Sequence, residues 1–210
     1  MLLVFDWDGT LMDSMAKIVG CMQLAIKDMQ LPASDDATIK AIIGLSLPVA
    51  IQQLYPRLSL ADGQRLSQAY IAHFKEADQQ PCALYPDVER VLAQLREGGH
   101  SLAVATSKSR KGLTQVLSNL GWQDYFDASR CADEAHSKPD PLMLNQLLSE
   151  FSVPPQQALM VGDTEYDLKM AANASVASVA VSYGAHARRS LLQHQPLACI
   201  DSFAELLEWV

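Results

Sequence analysis

The chain opens on an apolar run, Leu2-Leu3-Val4-Phe5, that stops abruptly at Asp6. A short continuous apolar run bounded by a turn signal, here Gly9-Thr10, predicts a buried strand. The period then changes. Met15, Ile18, Val19, Met22, Ala25, Ile26 and Met29 recur at three- and four-residue spacing. That spacing predicts a helix, capped at Asp13 or Ser14 and closed by Pro32. Shorter helical stretches over 36–43 and 48–55 flank Gly44-Leu45-Ser46. A longer one over 60–77 puts Leu66, Tyr70, Phe74 and Ala77 on one face. Past Pro81 and Pro86 the two periods alternate. Helical stripes over 88–95, 113–120 and 142–151 are separated by short strand-like runs over 101–105, 128–131, 158–161 and 176–181. Gly98-Gly99 and Gly121 suit left-handed helix ends, and Pro139 and Pro141 suit a first helical turn. A short amphipathic helix over 203–210 closes the pattern.

Strands alternating with helices predict an α/β fold with a doubly wound, mostly parallel, Rossmann-like sheet. Residues 1–14 and 82–210 would form this core, and the helical stretch 15–81 an inserted cap domain. Composition agrees with a packed core: 49% of 210 residues are hydrophobic and 19% charged. The formal charge of −8 argues against a nucleic-acid partner, since phosphate backbones are met by basic surfaces. Cys21, Cys82, Cys131 and Cys199 share no paired spacing and are expected to be inert thiols of a reducing compartment. The start lacks the basic residues of a signal peptide, and no apolar run approaches membrane-spanning length. The expectation is a cytoplasmic monomer with no membrane partner.

The candidate chemistry lies at strand ends. Asp6 and Asp8, two apart in extended backbone, project to the same side at the carboxyl end of the first strand, where open α/β sheets place ligands. Like charges that close raise each other's proton affinity unless a cation or a proton separates them. Thr106-Ser107 ends the next strand, where a hydroxyl and free backbone N–H groups suit an anion, although simple helix capping would use the same residues. Lys138, in Ser137-Lys138-Pro139-Asp140-Pro141, is held extended ahead of a helix by the proline that follows it. Gly162-Asp163 ends a further strand, and Asp167 lies one turn into the helix beyond. Acids at a helix start also have a purely structural use there.

Taken together in this order, the four clusters resemble the motifs of the haloacid dehalogenase superfamily of aspartate-nucleophile phosphotransferases. Asp6-x-Asp8-Gly9-Thr10, Thr106, Lys138 and Gly162-Asp163-x-x-x-Asp167 all match. Ala105-Thr106-Ser107-Lys108, Tyr85-Pro86 and Ser137-Lys138-Pro139-Asp140-Pro141 are similar to phosphoglycolate-phosphatase-like members. Trp7, Ser107 and Asp87 depart from the residues more usual at those places.

The resemblance implies a phosphatase acting on a small phosphorylated metabolite. Asp6 would be the nucleophile, and Asp8 the proton donor to the leaving oxygen and later the base for water. Thr106, Ser107 and Lys138 would hold the phosphoryl oxygens. Mg²⁺ would be bound by Asp6, the Asp8 backbone carbonyl and Asp163, with Asp167 accepting from water just outside that set. The turn Gly44-Leu45-Ser46 would set specificity from the cap. An acid at position 8 speaks for phosphoryl transfer over halide displacement, whose leaving group needs no proton. A mutase resembling β-phosphoglucomutase would use the same core motifs. A phosphonatase would need a cap lysine, for which Lys40 is the candidate, and a non-catalytic binding protein would not keep every catalytic position.

Overall fold

The computed structural model describes residues 1–210. Strands β1 (Leu2–Phe5), β2 (Ser101–Thr106), β3 (Ala128–Cys131), β4 (Ala158–Gly162), β5 (Ala177–Val181) and β6 (Ala198–Ile200) form one sheet in the order β3-β2-β1-β4-β5-β6. Every pairing is parallel, and Phe5 lies beside Val104 on one neighbour and Val161 on the other. The fold is α/β and doubly wound. From β1 the chain runs outward to β3, then returns to the opposite side of β1 as β4. This reversal opens a crevice at the carboxyl end of β1, the usual ligand position in such sheets.

The alternation of strand side chains divides the interior into two layers. Leu3, Phe5, Val104 and Val161 pack with α5 (Val88–Glu97) and α6 (Arg110–Leu120), together with the closing 3₁₀ turn Phe203–Glu208. Leu2, Val4, Ala103 and Met160 pack on the opposite face against α7 (Leu142–Phe151) and α8 (Glu165–Asn173). Trp7 has the parity of the first layer and is fully buried there, its ring edge-on to Phe126. Asp6 has the parity of the second, so the alternation that buries Trp7 turns Asp6 the other way.

Helices α1 (Met15–Asp28), α2 (Asp36–Lys40), α3 (Leu47–Leu54) and α4 (Leu60–Ala77) bury a separate core of Met22, Ile26, Ile39, Ile51 and Leu66. The two connections to this helical block run side by side. Met12 pairs antiparallel with Leu84, and Asp13 N–H donates to the Ala83 carbonyl at 2.9 Å. The Lys17 ammonium bonds the Gln80 carbonyl at 2.7 Å and Asp78 at 3.0 Å, tying both connections together.

Three local readings need correction. The helix expected over 36–43 stops at Lys40, because a turn over 41–44 ends on Gly44 at φ +99°. Beyond β5, a short helix α9 (Arg188–Leu192) and the three-residue strand β6 lack enough length to show a period. The final segment is 3₁₀, opened by Ser202 with a reciprocal Glu205 contact. The four cysteines are free thiols, and no helix is long and apolar enough to cross a membrane.

Candidate active site

Asp6 continues β1 beyond Phe5, with its N–H donating to the Val161 carbonyl at 2.9 Å, so the β4 ladder fixes its backbone. Its carboxylate is buried and lies 2.8 Å from the Lys138 ammonium. Lys138 comes from the loop between β3 and α7 and is itself buried. Its ammonium also donates to Asp167 Oδ1 at 2.6 Å. Asp167 in turn serves α8: its Oδ2 accepts from the Thr164 N–H at 3.1 Å and hydroxyl at 2.7 Å, closing a reciprocal helix cap. One carboxylate thus does both jobs, capping the helix and holding Lys138.

Asp163, at the end of β4, is fully buried and accepts from the Thr10 hydroxyl at 2.9 Å and the Ala185 N–H at 2.7 Å. Gly9 is required beside it: the backbone is left-handed there, φ +87°, and a Cβ would overlap the Asp163 carboxylate. Carboxylate oxygens of Asp6, Asp163 and Asp167 lie within 4.8 Å of one another. Burial pushes the Asp6 carboxyl up from 3.8 to about 7, against the pull of Lys138 and with help from Asp167. Burial, then Asp6 and Asp167, raise Asp163 well above the carboxylate range. Burial would lower Lys138, but Asp167 and Asp6 hold its proton on. Three carboxyl groups crowd one ammonium in a dry site, and the raised proton affinity of Asp6 and Asp163 marks a place where positive charge is short. A divalent cation with a preference for oxygen ligands matches that deficit in charge and donor type.

Asp8 lies apart from this triad. Its Oδ1 accepts from the Ser14 hydroxyl at 2.6 Å, and the Lys108 ammonium reaches Oδ1 at 3.1 Å and Oδ2 at 2.9 Å. Ser14 precedes α1, but its hydroxyl serves Asp8 and makes no cap bond. Thr106 is buried at the end of β2, its Oγ1 accepting from the Lys108 N–H at 3.2 Å. Ser107 points its hydroxyl to the Gly44 carbonyl at 2.5 Å. Ser46 N–H donates to Ser137 Oγ at 2.8 Å, and Leu45 packs with Ile42, Ala50 and Tyr166. The Tyr166 hydroxyl donates to the Ala41 carbonyl at 2.9 Å. The turn Gly44-Leu45-Ser46 is therefore seated on the loops that follow β2 and β3 and on the first turn of α8.

The strand ends thus bring Asp6, Lys138, Asp163 and Asp167 into direct contact or near contact, while Asp8 faces Lys108 and α4. Sequence reasoning gave no role to Thr10, Lys108 or Tyr166. Lys108 carried a legible signal, since it stands two residues past Thr106 and is the one cation of that strand end. Thr10 and Tyr166 acquire their partners only through long-range contacts.

A family model for haloacid dehalogenase-like hydrolases matches residues 3–181, and the chain belongs to that family. It is a phosphoric monoester hydrolase of the phosphoglycolate-phosphatase-like kind. It is 37% identical over 213 residues to the "Probable phosphatase IndB" of Dickeya dadantii, covering 98% of this chain and 91% of that protein. It is 30% identical to the phosphoglycolate phosphatase of Vibrio vulnificus strain CMCP6, covering 100% of this chain and 95% of that one. A crystal structure described as a predicted phosphoglycolate phosphatase from Haemophilus somnus matches with a TM-score of 0.89 and 27% identity, over 99% and 96% of the two chains.

Proposed function

We propose that the protein is a Mg²⁺-dependent phosphatase that hydrolyses small phosphate monoesters, phosphoglycolate among them, through an aspartyl-phosphate on Asp6. The observation that carries this reading is the dry carboxylate of Asp6 at the sheet's switch point, 2.8 Å from a buried ammonium. A carboxylate stripped of water and fixed by its backbone is an oriented nucleophile with little solvent to shed. Asp6 attacks phosphorus, the bond from phosphorus to the leaving oxygen breaks, and Asp8 gives that oxygen a proton. Water then attacks the phosphoenzyme, Asp8 takes its proton, and Asp6 is released. Lys138, the Thr106 hydroxyl and the Ser107 N–H hold the phosphoryl oxygens and offset their charge. Asp167 keeps Lys138 in place.

The Asp6 and Asp163 carboxylates and the Asp8 backbone carbonyl would hold Mg²⁺. When bound, the ion supplies neutralising charge at the phosphoryl group, matching the shortage of positive charge in the buried cluster. In the same reading residues 15–81 are a cap hinged at the paired connections, and the Gly44-Leu45-Ser46 turn closes on the core to exclude water and shape substrate access.

A single turnover in heavy-oxygen water tests the pathway. Because water attacks phosphorus and the bond from phosphorus to the Asp6 oxygen breaks, one labelled oxygen should enter each phosphate and none the Asp6 carboxylate. Label accumulating in Asp6 would place the attack of water at its carbonyl carbon and overturn this step. Acid-quenched enzyme should also carry phosphate on the peptide containing Asp6, and Asp6→Asn should carry none.

A further inference from the structure

Lys108 stands outside the chemistry assigned above, and its surroundings are unusual for a lysine. Its side chain is 13% exposed, and its ammonium bonds both oxygens of Asp8, which is 15% exposed. The ammonium also meets the helical block, where the Phe74 ring of α4 has its centroid 4.9 Å away. Tyr70, one turn earlier on α4, lies against Phe74 with ring centroids 5.8 Å apart. A cation is thus held between the proton donor of the core and an aromatic face of the cap.

The position of the leaving group follows from distances. To receive a proton from Asp8, the leaving oxygen must come within about 3 Å of one of its oxygens. Lys108 is 2.9 to 3.1 Å from both of those oxygens. The leaving oxygen therefore lies within about 6 Å of the Lys108 ammonium whichever Asp8 oxygen serves it. A charged group one or two bonds beyond that oxygen falls within reach of Lys108, and Phe74 limits how far the leaving group extends.

We propose that Lys108 and Phe74 form the leaving-group subsite, and that it selects short phosphate esters whose leaving group carries its own negative charge. A negative end adds a second partner to a poorly solvated ammonium. A neutral end adds none, and a positive end is repelled. This inference rests on the phosphatase reading and on Asp8 as the proton donor.

The experiment compares kcat/KM for phosphoglycolate, ethyl phosphate and phosphoethanolamine, which are similar in length and end in a negative, a neutral and a positive group. The wild type should favour phosphoglycolate over ethyl phosphate by at least about tenfold, with phosphoethanolamine last. Lys108→Met should collapse that ratio toward unity, mainly through KM for phosphoglycolate, and Lys108→Arg should restore most of it. A bisphosphorylated ethylene glycol arm distinguishes carboxylate from phosphate as the preferred anion. No charge preference in the wild type overturns the inference. So does an equal loss on all esters in Lys108→Met, which would reduce Lys108 to a support for Asp8. In both cases continued hydrolysis leaves the phosphatase reading standing. Failure to release phosphate from every ester, nitrophenyl phosphate included, would overturn both together.

Discussion

In metal-free protein the Asp6 carboxylate is ionised against its surroundings, so Asp6→Asn should stabilise the fold while ending turnover. Displacement of its titration from 3.8 to about 7 corresponds to about 4 kcal/mol of unfavourable charge burial once the group is ionised. The folded value lies above the unfolded one. Stability is therefore gained as pH falls from about 7 toward 4 and lost as it rises through the same window. Asparagine carries no charge, but it also gives up the attraction to Lys138, which keeps Asp167 at 2.6 Å. A net gain of about 2 to 4 kcal/mol is expected near pH 8, or roughly 4 to 16 °C in Tm for a chain of this size. Near pH 5 folded wild-type Asp6 is largely protonated, and the gap should shrink to about 2 kcal/mol or less. Calorimetry of both proteins in EDTA at the two pH values measures this, with turnover in Mg²⁺ assayed in parallel. A variant that melts below wild type near pH 8, or above it by the same margin at both values, would refute the argument.

Asp8→Ala should slow alkyl phosphates by about 10²- to 10⁴-fold and nitrophenyl phosphate far less in the first step, because nitrophenolate scarcely needs a proton. Equal losses, with phosphoenzyme formation shown to limit the rate, would count against Asp8 as the acid. EDTA should abolish turnover and Mg²⁺ restore it, while a hundredfold excess over Kd should add about 2.7 kcal/mol of stability; full activity in excess chelator would dismiss the ion. Tyr166→Phe removes the hydroxyl bond to the Ala41 carbonyl, costing about 1 kcal/mol of cap seating and raising KM about fivefold. An unchanged KM would show that this contact does not hold the turn on the core.

The carboxyl-end placement of Asp6 was legible because it depends on short-range facts. An apolar run that stops dead at an acid, with alternation between Trp7 and its neighbours, leaves Asp6 facing the crevice. Most of the sheet was legible for the same reason, since β1, β2, β4 and β5 each carry their own apolar run, whereas β3 holds Ser129 and Arg130 and shows its strand only weakly. Segments of three to five residues such as β6 and α9 are too short for any period, and only pairing with β5 and packing on the sheet give them a conformation. The helix boundary at Lys40 escaped because Gly44 permits the turn on which the helix ends, and the preceding residues fit either reading.

Side-chain partnership is a different matter. The sequence determined which groups stand at the strand ends, and so the kind of chemistry available there. It did not determine that Asp167 spends one oxygen on its own helix and the other on Lys138, that Thr10 and the Ala185 N–H grip Asp163, or that Ser14 bonds Asp8 in place of capping α1. Nor did it place Lys108 between Asp8 and Phe74. Most of those pairings join residues far apart along the chain, and their strength comes from shared burial, which raises the cost of leaving any one of them unpaired. Spacing in a sequence sets direction along a strand or helix. Only the packed structure sets which charges share one dry volume, and that decides how each one behaves.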